Sequence, residues 1–268
     1  MSFVNRYVAE ILKLQVALYH AQARLQADTD PDALHALRIS VRRIRSLLAP
    51  VRNVERMAPL RAAAAEVGRL TTPVRDLEVM IHELTERGLD AAATRRRGRL
   101  RPGYKAVLDS DEINELLPQL DEWPSALRSS SLANTPGGLE KRIRRALTKQ
   151  VDRLHFALND PDFDRHELRI LVKRTRYLTE AFPTISPLTK KATTSLKSVQ
   201  SALGSWHDHH QWCLKVGVEP DLMPLEPEWE EAALKALDAA ETQLQELSKL
   251  LPKVSTKPQD ATQQSATA

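Results

Sequence analysis

Cysteine is almost missing from this sequence, since Cys213 is the only one among 268 residues. A single thiol excludes an intrachain disulfide framework and any zinc or iron–sulfur site built from several cysteines. Such a chain suits a reducing compartment, and we expect a cytoplasmic protein.

Glycine and aromatic residues are also scarce, with 8 Gly and four each of Trp, Tyr and Phe. Strands favour aromatic and β-branched residues, and the phosphate loops of nucleotide enzymes need closely spaced glycines. The composition therefore argues against an all-β fold and against a glycine-rich nucleotide loop.

Long apolar runs are absent as well. No window offers the ~18 apolar residues that would mark a membrane span, so we expect no membrane association. Arg6, Glu10 and Lys13 interrupt the N-terminal segment. We therefore expect neither a signal peptide nor a membrane anchor there.

What the chain does contain is a regular helical pattern. It is 42% hydrophobic and 28% charged, with 39 Lys and Arg against 35 Asp and Glu and a net charge of +4. Apolar residues recur at helical spacing, which predicts an all-α fold. The predicted helices cover residues 3–26, 33–48, 59–70, 76–87, 91–108 with a break at Pro102-Gly103, 112–123, 139–158, 165–182, 187–203, 207–216 and 228–250.

Residues 124–138, rich in Pro, Ser and Gly, are predicted to form an internal linker. This linker would separate a first repeat, about 3–123, from a second, about 139–251, within a single domain of residues 1–251. After Pro252 the chain has little to bury, so residues 252–268 are predicted to be a disordered tail.

The two halves of the sequence resemble each other. The segment His35-Ala-Leu-Arg-Ile-Ser-Val-Arg-Arg-Ile-Arg45 matches His166-Glu-Leu-Arg-Ile-Leu-Val-Lys-Arg-Thr-Arg176 at an offset of 166 − 35 = 131. Downstream, Val74-Arg75-Asp76 aligns with Trp206-His207-Asp208 at an offset of 206 − 74 = 132. We therefore interpret the chain as two copies of one helical unit.

Each copy of the motif places cations along one side of a helix. At about 100° per residue, His35 shares a stripe with Arg38, Arg42 and Arg45, whereas Arg43 points elsewhere. In the second copy His166, Arg169, Lys173 and Arg176 share the stripe, and Arg174 lies off it. An adjoining apolar stripe is predicted to be buried in the first copy and consists of Leu34, Leu37, Val41, Ile44 and Leu48.

Acidic residues are missing around these cations. None occurs from Ala33 to Val54, and none occurs between Leu168 and Thr179, although Glu180 is placed to orient Arg176. Solvated helix faces usually alternate charges of opposite sign, because like charges at i+4 are destabilising. The pattern therefore favours a polyanion as the counter-charge, and the planar guanidinium of arginine suits phosphate.

Other candidate groups receive a structural interpretation. His207-Asp208-His209-His210 resembles a metal-binding string, yet three consecutive helical side chains cannot face one ion, and we predict no metal site. Asp208 is interpreted as a structural carboxylate. Trp206, Trp212 and Cys213 are interpreted as packed residues, and the basic run Arg95–Arg101 either is solvated or extends the cationic surface. No catalytic motif occurs, so we predict no enzyme and no cofactor.

The doubled motif resembles the CHAD domain, the conserved histidine α-helical domain, over roughly residues 3–250. The resemblance implies two helical bundles related by an approximate two-fold axis around a basic cavity that binds inorganic polyphosphate. The family's Leu-Gly turn is present at Leu203-Gly204, but the first half has Leu70-Thr71-Thr72-Pro73 instead. The contact residues implied are His35, Arg38, Arg42, Arg43, Arg45, His166, Arg169, Lys173, Arg174 and Arg176.

The leading functional prediction is thus non-enzymatic polyphosphate binding, with association with polyphosphate granules. Some relatives carry a fused triphosphatase domain, and we expect none in this sequence. Two alternatives stay open at this point: binding of single-stranded nucleic acid, which would need aromatic platforms among the cations, and a metal-dependent phosphohydrolase that uses the histidines. The sequence predicts no oligomeric state.

Overall fold

The computed structural model describes residues 2–52, 54 and 57–252. The chain is 85% helical and its described residues form no strand, which confirms the predicted all-α class. The α-helices are α1 (Phe3–Ala27), α2 (Ala33–Leu48), α3 (Ala58–Leu70), α4 (Thr72–Glu86), α5 (Asp90–Arg97), α6 (Leu100–Leu108), α7 (Asp111–Arg128), α8 (Ser131–Asn134), α9 (Gly138–Leu158), α10 (Arg165–Ala181), α11 (Lys190–Val216) and α12 (Glu226–Leu250).

The chain divides into two compact units, Met1–Ile143 and Arg144–Ala268, and the division falls within α9. The division into two repeats related by a two-fold axis, and the cavity expected with it, stay predictions.

In the first unit, α1 packs against α2, and α3 packs against α7. The whole apolar stripe predicted on α2 is buried, with exposed fractions of 0–2%. The Tyr7 hydroxyl on α1 donates to the Leu47 carbonyl at 2.6 Å, and its ring meets the edge of Trp123 at 5.5 Å between centroids. Burial raises the pKa of Tyr7. These contacts fix which face of α2 is left for the cations.

In the second unit, α10 packs against α11, and α11 packs along α12. Their shared core includes Leu168 and Val172 of α10, Val199 and Leu203 of α11, and Leu244 of α12. Burial of such side chains contributes about 1.5–3 kcal/mol each. The face of α10 that carries these leucines and valines is thereby fixed, and its cations lie beside it.

The predicted break at Pro102-Gly103 is wrong. The chain breaks instead at Gly98 and Arg99, between α5 and α6, and Pro102 is the third residue of α6. Proline is tolerated there because the first-turn N–H groups of a helix have no intrahelical partner.

The prediction of separate helices over 187–203 and 207–216 is also wrong, because α11 runs without interruption through Gly204. A break occurs at the corresponding place in the first half, where Thr71 separates α3 from α4. Pro73 lies in the first turn of α4 and cannot donate a backbone hydrogen bond. The Thr71 and Thr72 hydroxyls donate to the carbonyls of Val67 and Gly68 at 2.8 and 2.9 Å.

Much of the predicted linker, residues 124–138, is helical. α7 continues through Pro124 to Arg128, and α8 covers Ser131–Asn134. A proline inside a helix costs about 3 kcal/mol. Trp123 and Leu127 are both buried on α7, and their burial offsets that cost.

No helix among the described residues is long and apolar enough to cross a membrane. The predicted disordered tail lies, after Pro252, outside the described residues.

Candidate functional site

The first basic ridge consists of His35, Arg38, Arg42 and Arg45 on α2. His35, Arg38 and Arg42 are half-buried and Arg45 is exposed. The ridge lies beside the buried apolar stripe of the same helix, as the helical spacing predicts. Arg43, which was included through the family resemblance, is exposed and lies off this ridge.

Arg38 ties α2 to the junction of α3 and α4. Its Nη1 donates to Thr71 Oγ1 at 2.6 Å, to Thr72 Oγ1 at 3.2 Å and to the Gly68 carbonyl at 3.2 Å. Burial is the main cause that lowers the pKa of Arg38; Arg42 and Arg75 lower it further, and Asp76 opposes them. These hydrogen bonds to the end of α3 therefore hold the Arg38 guanidinium in one orientation.

Gly68 allows a second arginine to lie against the same end of α3. A Cβ atom at Gly68 would come within 2.8 Å of Arg45 Nη1. The carbonyl end of a helix carries a partial negative charge that favours nearby cations. The absent side chain at Gly68 thus lets Arg45 approach α3 closely.

Arg75 on α4 completes the first site. Its Nη1 donates to Glu78 Oε2 at 2.8 Å, and the Tyr104 hydroxyl donates to the other Glu78 oxygen at 2.7 Å. Burial, followed by the positive charges of Arg75 and Arg42, lowers the pKa of His35. The head of the ridge therefore lies in a positive field that α2 and α4 supply together.

The second basic ridge consists of His166, Arg169, Lys173 and Arg176 on α10. His166 is exposed and the other three are half-buried. Arg176 donates from Nε to Gln200 Oε1 at 2.5 Å and from Nη1 to Glu180 Oε1 at 2.8 Å. Its guanidinium also lies 4.8 Å from the Tyr177 ring centroid. The expected contact with Glu180 is thus present, while Arg174 is exposed and off the ridge.

His207 on α11 belongs to this second site. Its ring lies 5.2 Å from that of His166, centroid to centroid. Burial lowers the pKa of His207 to about 4, and the charges of Arg169, His166, Lys173 and His210 act in the same direction. Burial, together with the cations Arg169 and Lys173 of α10, therefore disfavours protonation of this imidazole.

Arg75 and His207 are candidate site residues that the motif on its own did not identify. Both lie on a helix that neighbours the ridge, and a helical wheel describes only one helix. The aligned segments Val74-Arg75-Asp76 and Trp206-His207-Asp208 were the available signal, since they pair these two positions.

Trp206 and Trp212 are packed residues, as predicted. Trp206 packs against the hydrophobic cluster of the second unit and stacks on His210 at 6.1 Å between ring centroids. Trp212 is buried beside Trp229. Cys213 is half-buried, and burial raises the pKa of its thiol.

Several arginines of the basic run from Arg95 to Arg101 form hydrogen bonds or an ion pair within the first unit. Arg96 is buried and donates to the Ala92 carbonyl at 3.1 Å, and Arg97 donates to Thr85 Oγ1 at 2.7 Å. Arg101 forms an ion pair with Asp28 at 2.6 Å. Each of these cations is oriented by a neighbour within the unit.

Across the part of the chain that the structure describes, no three His, Cys, Asp or Glu side chains form a group that could hold a metal ion. The string His207–His210 is spread over the faces of α11, with His207 beside His166 and the His209 ring at the edge of Trp212. The structural role of Asp208 stays a prediction.

Comparison with known proteins agrees with the motif. The CHAD domain family matches residues 10–213, which is most of the chain, so this chain belongs to the CHAD family. It is also similar in fold to a solved structure described as the CHAD domain from the plant Ricinus communis, with 20% identity and a TM-score of 0.65. That match covers 91% of this chain and 92% of the plant domain. No curated protein matches the chain significantly. CHAD domains in general are associated with polyphosphate-related proteins.

Proposed function

We propose that this CHAD domain binds inorganic polyphosphate through its two basic ridges and does not cleave it. The observation that carries the proposal is the crowding of cations at His207. Its imidazole contacts His166 and lies within the field of Arg169 and Lys173. Positive charges concentrated at one place create a field that attracts an anionic ligand.

The chemistry of the ridges suits a chain of phosphates. Arginine grips phosphate oxygens with two N–H donors at once, and lysine adds a point charge. Arg38 and Arg176 are already oriented by Thr71 and by Gln200. Such preorganisation reduces the entropy lost when an anion binds.

Single-stranded nucleic acid fits the ridges less well. Recognition of that kind stacks bases on aromatic side chains. Trp206, the aromatic residue next to His207, packs on the hydrophobic core, and Tyr177 lies under the guanidinium of Arg176. We therefore propose contact with bare phosphate chain and, with it, a place at cytoplasmic polyphosphate granules.

The test is a pair of affinities measured across a salt series. Long-chain polyphosphate and a single-stranded RNA of matched charge are titrated into the full chain, each with and without EDTA. Counterion release predicts that log K falls with log salt by about 0.7 per phosphate neutralised, by analogy with single strands. We expect tight, steeply salt-dependent polyphosphate binding that EDTA does not change.

Two outcomes would contradict the proposal. RNA binding as tight as polyphosphate binding, or tighter, would make nucleic acid the ligand. Release of orthophosphate that EDTA stops would indicate a metal-dependent hydrolase.

A further inference from the structure

The two ridges differ at one equivalent position. Arg75 and His207 align at an offset of 207 − 75 = 132, and each precedes an aspartate, Asp76 or Asp208. Both lie on the helix next to their ridge, Arg75 on α4 and His207 on α11. One half thus carries a permanent cation where the other carries a titratable imidazole.

In the first unit the cation at this position acts electrostatically on the histidine at the head of the ridge. The charge of Arg75 acts on both His35 and Arg38. Glu78 holds Arg75 in place through one hydrogen bond of 2.8 Å and is itself fixed by Tyr104. A guanidinium has five N–H donors, so the bond to Glu78 leaves donors for a phosphate.

In the second unit the equivalent position, His207, lies beside His166, which is the counterpart of His35. His207 lies 5.2 Å from His166, ring centroid to ring centroid, and is half-buried. The charged and titratable groups that act on it are His166, Arg169 and Lys173 of α10 and His210 of α11. An anion held by His166 and Arg169 would therefore lie within reach of the His207 ring.

From this correspondence we infer that Arg75 and His207 are phosphate-contacting residues, and that His207 takes up a proton when the second ridge binds polyphosphate. The inference rests on the proposed function and specifies how the two ridges differ. The first ridge contacts its phosphate through a fixed charge at this position. The second gains the equivalent charge only as the anion binds.

Proton uptake on binding makes affinity depend on pH. In the free protein the pKa of His207 is about 4, and a phosphate oxygen beside the ring raises it. Between those two values, affinity increases as the pH falls, with a slope equal to the number of protons taken up. His35 and His166 can also contribute to this slope, so the role of His207 must be read from variants.

The experiment gives each position, in a separate single variant, the residue found at the other. Polyphosphate affinity of the full chain is measured from pH 5 to pH 8 for the wild type, His207→Arg and Arg75→His. His82→Arg serves as control, because His82 is an exposed histidine of α4 near Glu86. Far-ultraviolet circular dichroism monitors helix content in every variant.

We expect His207→Arg to bind about fivefold to tenfold more tightly at pH 8 and to lose up to one proton from the slope of log K against pH. Arg75→His should bind more weakly at pH 8 and gain up to one proton in the slope. His82→Arg should follow the wild-type slope.

Several results would overturn the inference. Slopes equal to wild type in a folded His207→Arg protein would remove the role of His207. If that variant loses helix content, Arg75→His decides in its place, and an unchanged slope there contradicts the inference. A wild-type chain that binds no polyphosphate would refute the proposed function itself, whereas wild-type binding with unchanged variant slopes would leave the proposed function standing.

Discussion

Arg38 Nη1 donates to Thr71 Oγ1 at 2.6 Å, across the boundary between α2 and the junction of α3 and α4. Thr71 is fully buried, and its hydroxyl donates in turn to the Val67 carbonyl at 2.8 Å. A residue that the sequence predicts to be a phosphate contact is therefore also part of the scaffold. Its guanidinium connects α2 to Thr71, the residue that separates α3 from α4.

Replacing Arg38 with alanine should destabilise the protein. The change leaves the buried Thr71 oxygen without a charged donor, which costs about 1–3 kcal/mol. We expect a corresponding decrease in the free energy of unfolding, measured from urea denaturation curves. Arg43→Ala, at an exposed position of the same helix, should change it by less than about 0.5 kcal/mol. Equal stability of the two variants would contradict a structural role for Arg38.

The periodicity of α2 was sufficient to predict its two faces. Leu34, Leu37 and Ile44 are buried, and the cations lie along the adjoining stripe, because a helix has a fixed angle per residue. The location of Arg75 and His207 beside the ridges could not be derived in that way. It depends on which helix packs next to the ridge, and tertiary packing is not encoded in the spacing of one segment.

Helix breaks were harder to predict than helices. Pro102 and Gly204 both lie inside helices, whereas Thr71 separates two. The effect of a proline or glycine depends on its distance from the helix start and on what its neighbours bury. Neither quantity can be obtained from composition in a short window.

The carboxylate of Glu180 should weaken polyphosphate binding while it orients Arg176. The two groups are 2.8 Å apart, and Gln200 supplies a second acceptor to the same guanidinium. Glu180→Gln keeps an amide oxygen as acceptor and removes one negative charge from the ridge. We expect affinity to increase about twofold to fivefold, with stability changed by less than about 0.5 kcal/mol. A loss of affinity would mean that orientation of Arg176 by a charged partner matters more than net charge.

His207 should make the protein less stable in mild acid. Its pKa is about 4 in the folded chain, below its ordinary value of 6.5, so the unfolded chain binds the proton first as the pH falls. The free energy of unfolding therefore decreases from about pH 6.5 towards pH 4. His207 is half-exposed, and we expect a contribution of about 1 kcal/mol after solvent screening.

Urea midpoints of the wild type and His207→Gln at pH 7.5 and pH 5 test this expectation. The glutamine variant cannot take up the proton, so its stability should decrease less between the two pH values. His35, whose pKa is also lowered by burial, contributes the same dependence to both proteins. An equal decrease in both would contradict the assignment to His207.

Reversal of charge at the centre of the ridges should abolish polyphosphate binding without unfolding the protein. Arg42 and Lys173 lie at the aligned positions of α2 and α10 and are both half-buried. The double variant Arg42→Glu, Lys173→Glu places a carboxylate in each cationic cluster, where it repels phosphate and forms ion pairs with its neighbours. We expect at least a hundredfold loss of affinity, measured at low salt by titration, with normal helix content.

The matched control reverses charge at two lysines that do not belong to the ridges. Lys13→Glu, Lys235→Glu changes the net charge by the same amount at two exposed residues, each paired with a glutamate on its own helix. If binding followed net charge alone, both double variants would lose affinity equally. If the ridges bind the phosphate chain, the control stays within about threefold of wild type, because both lysines are exposed and their charges are screened by water and salt. Retained affinity in the folded Arg42→Glu, Lys173→Glu protein would remove the ridges from the binding site.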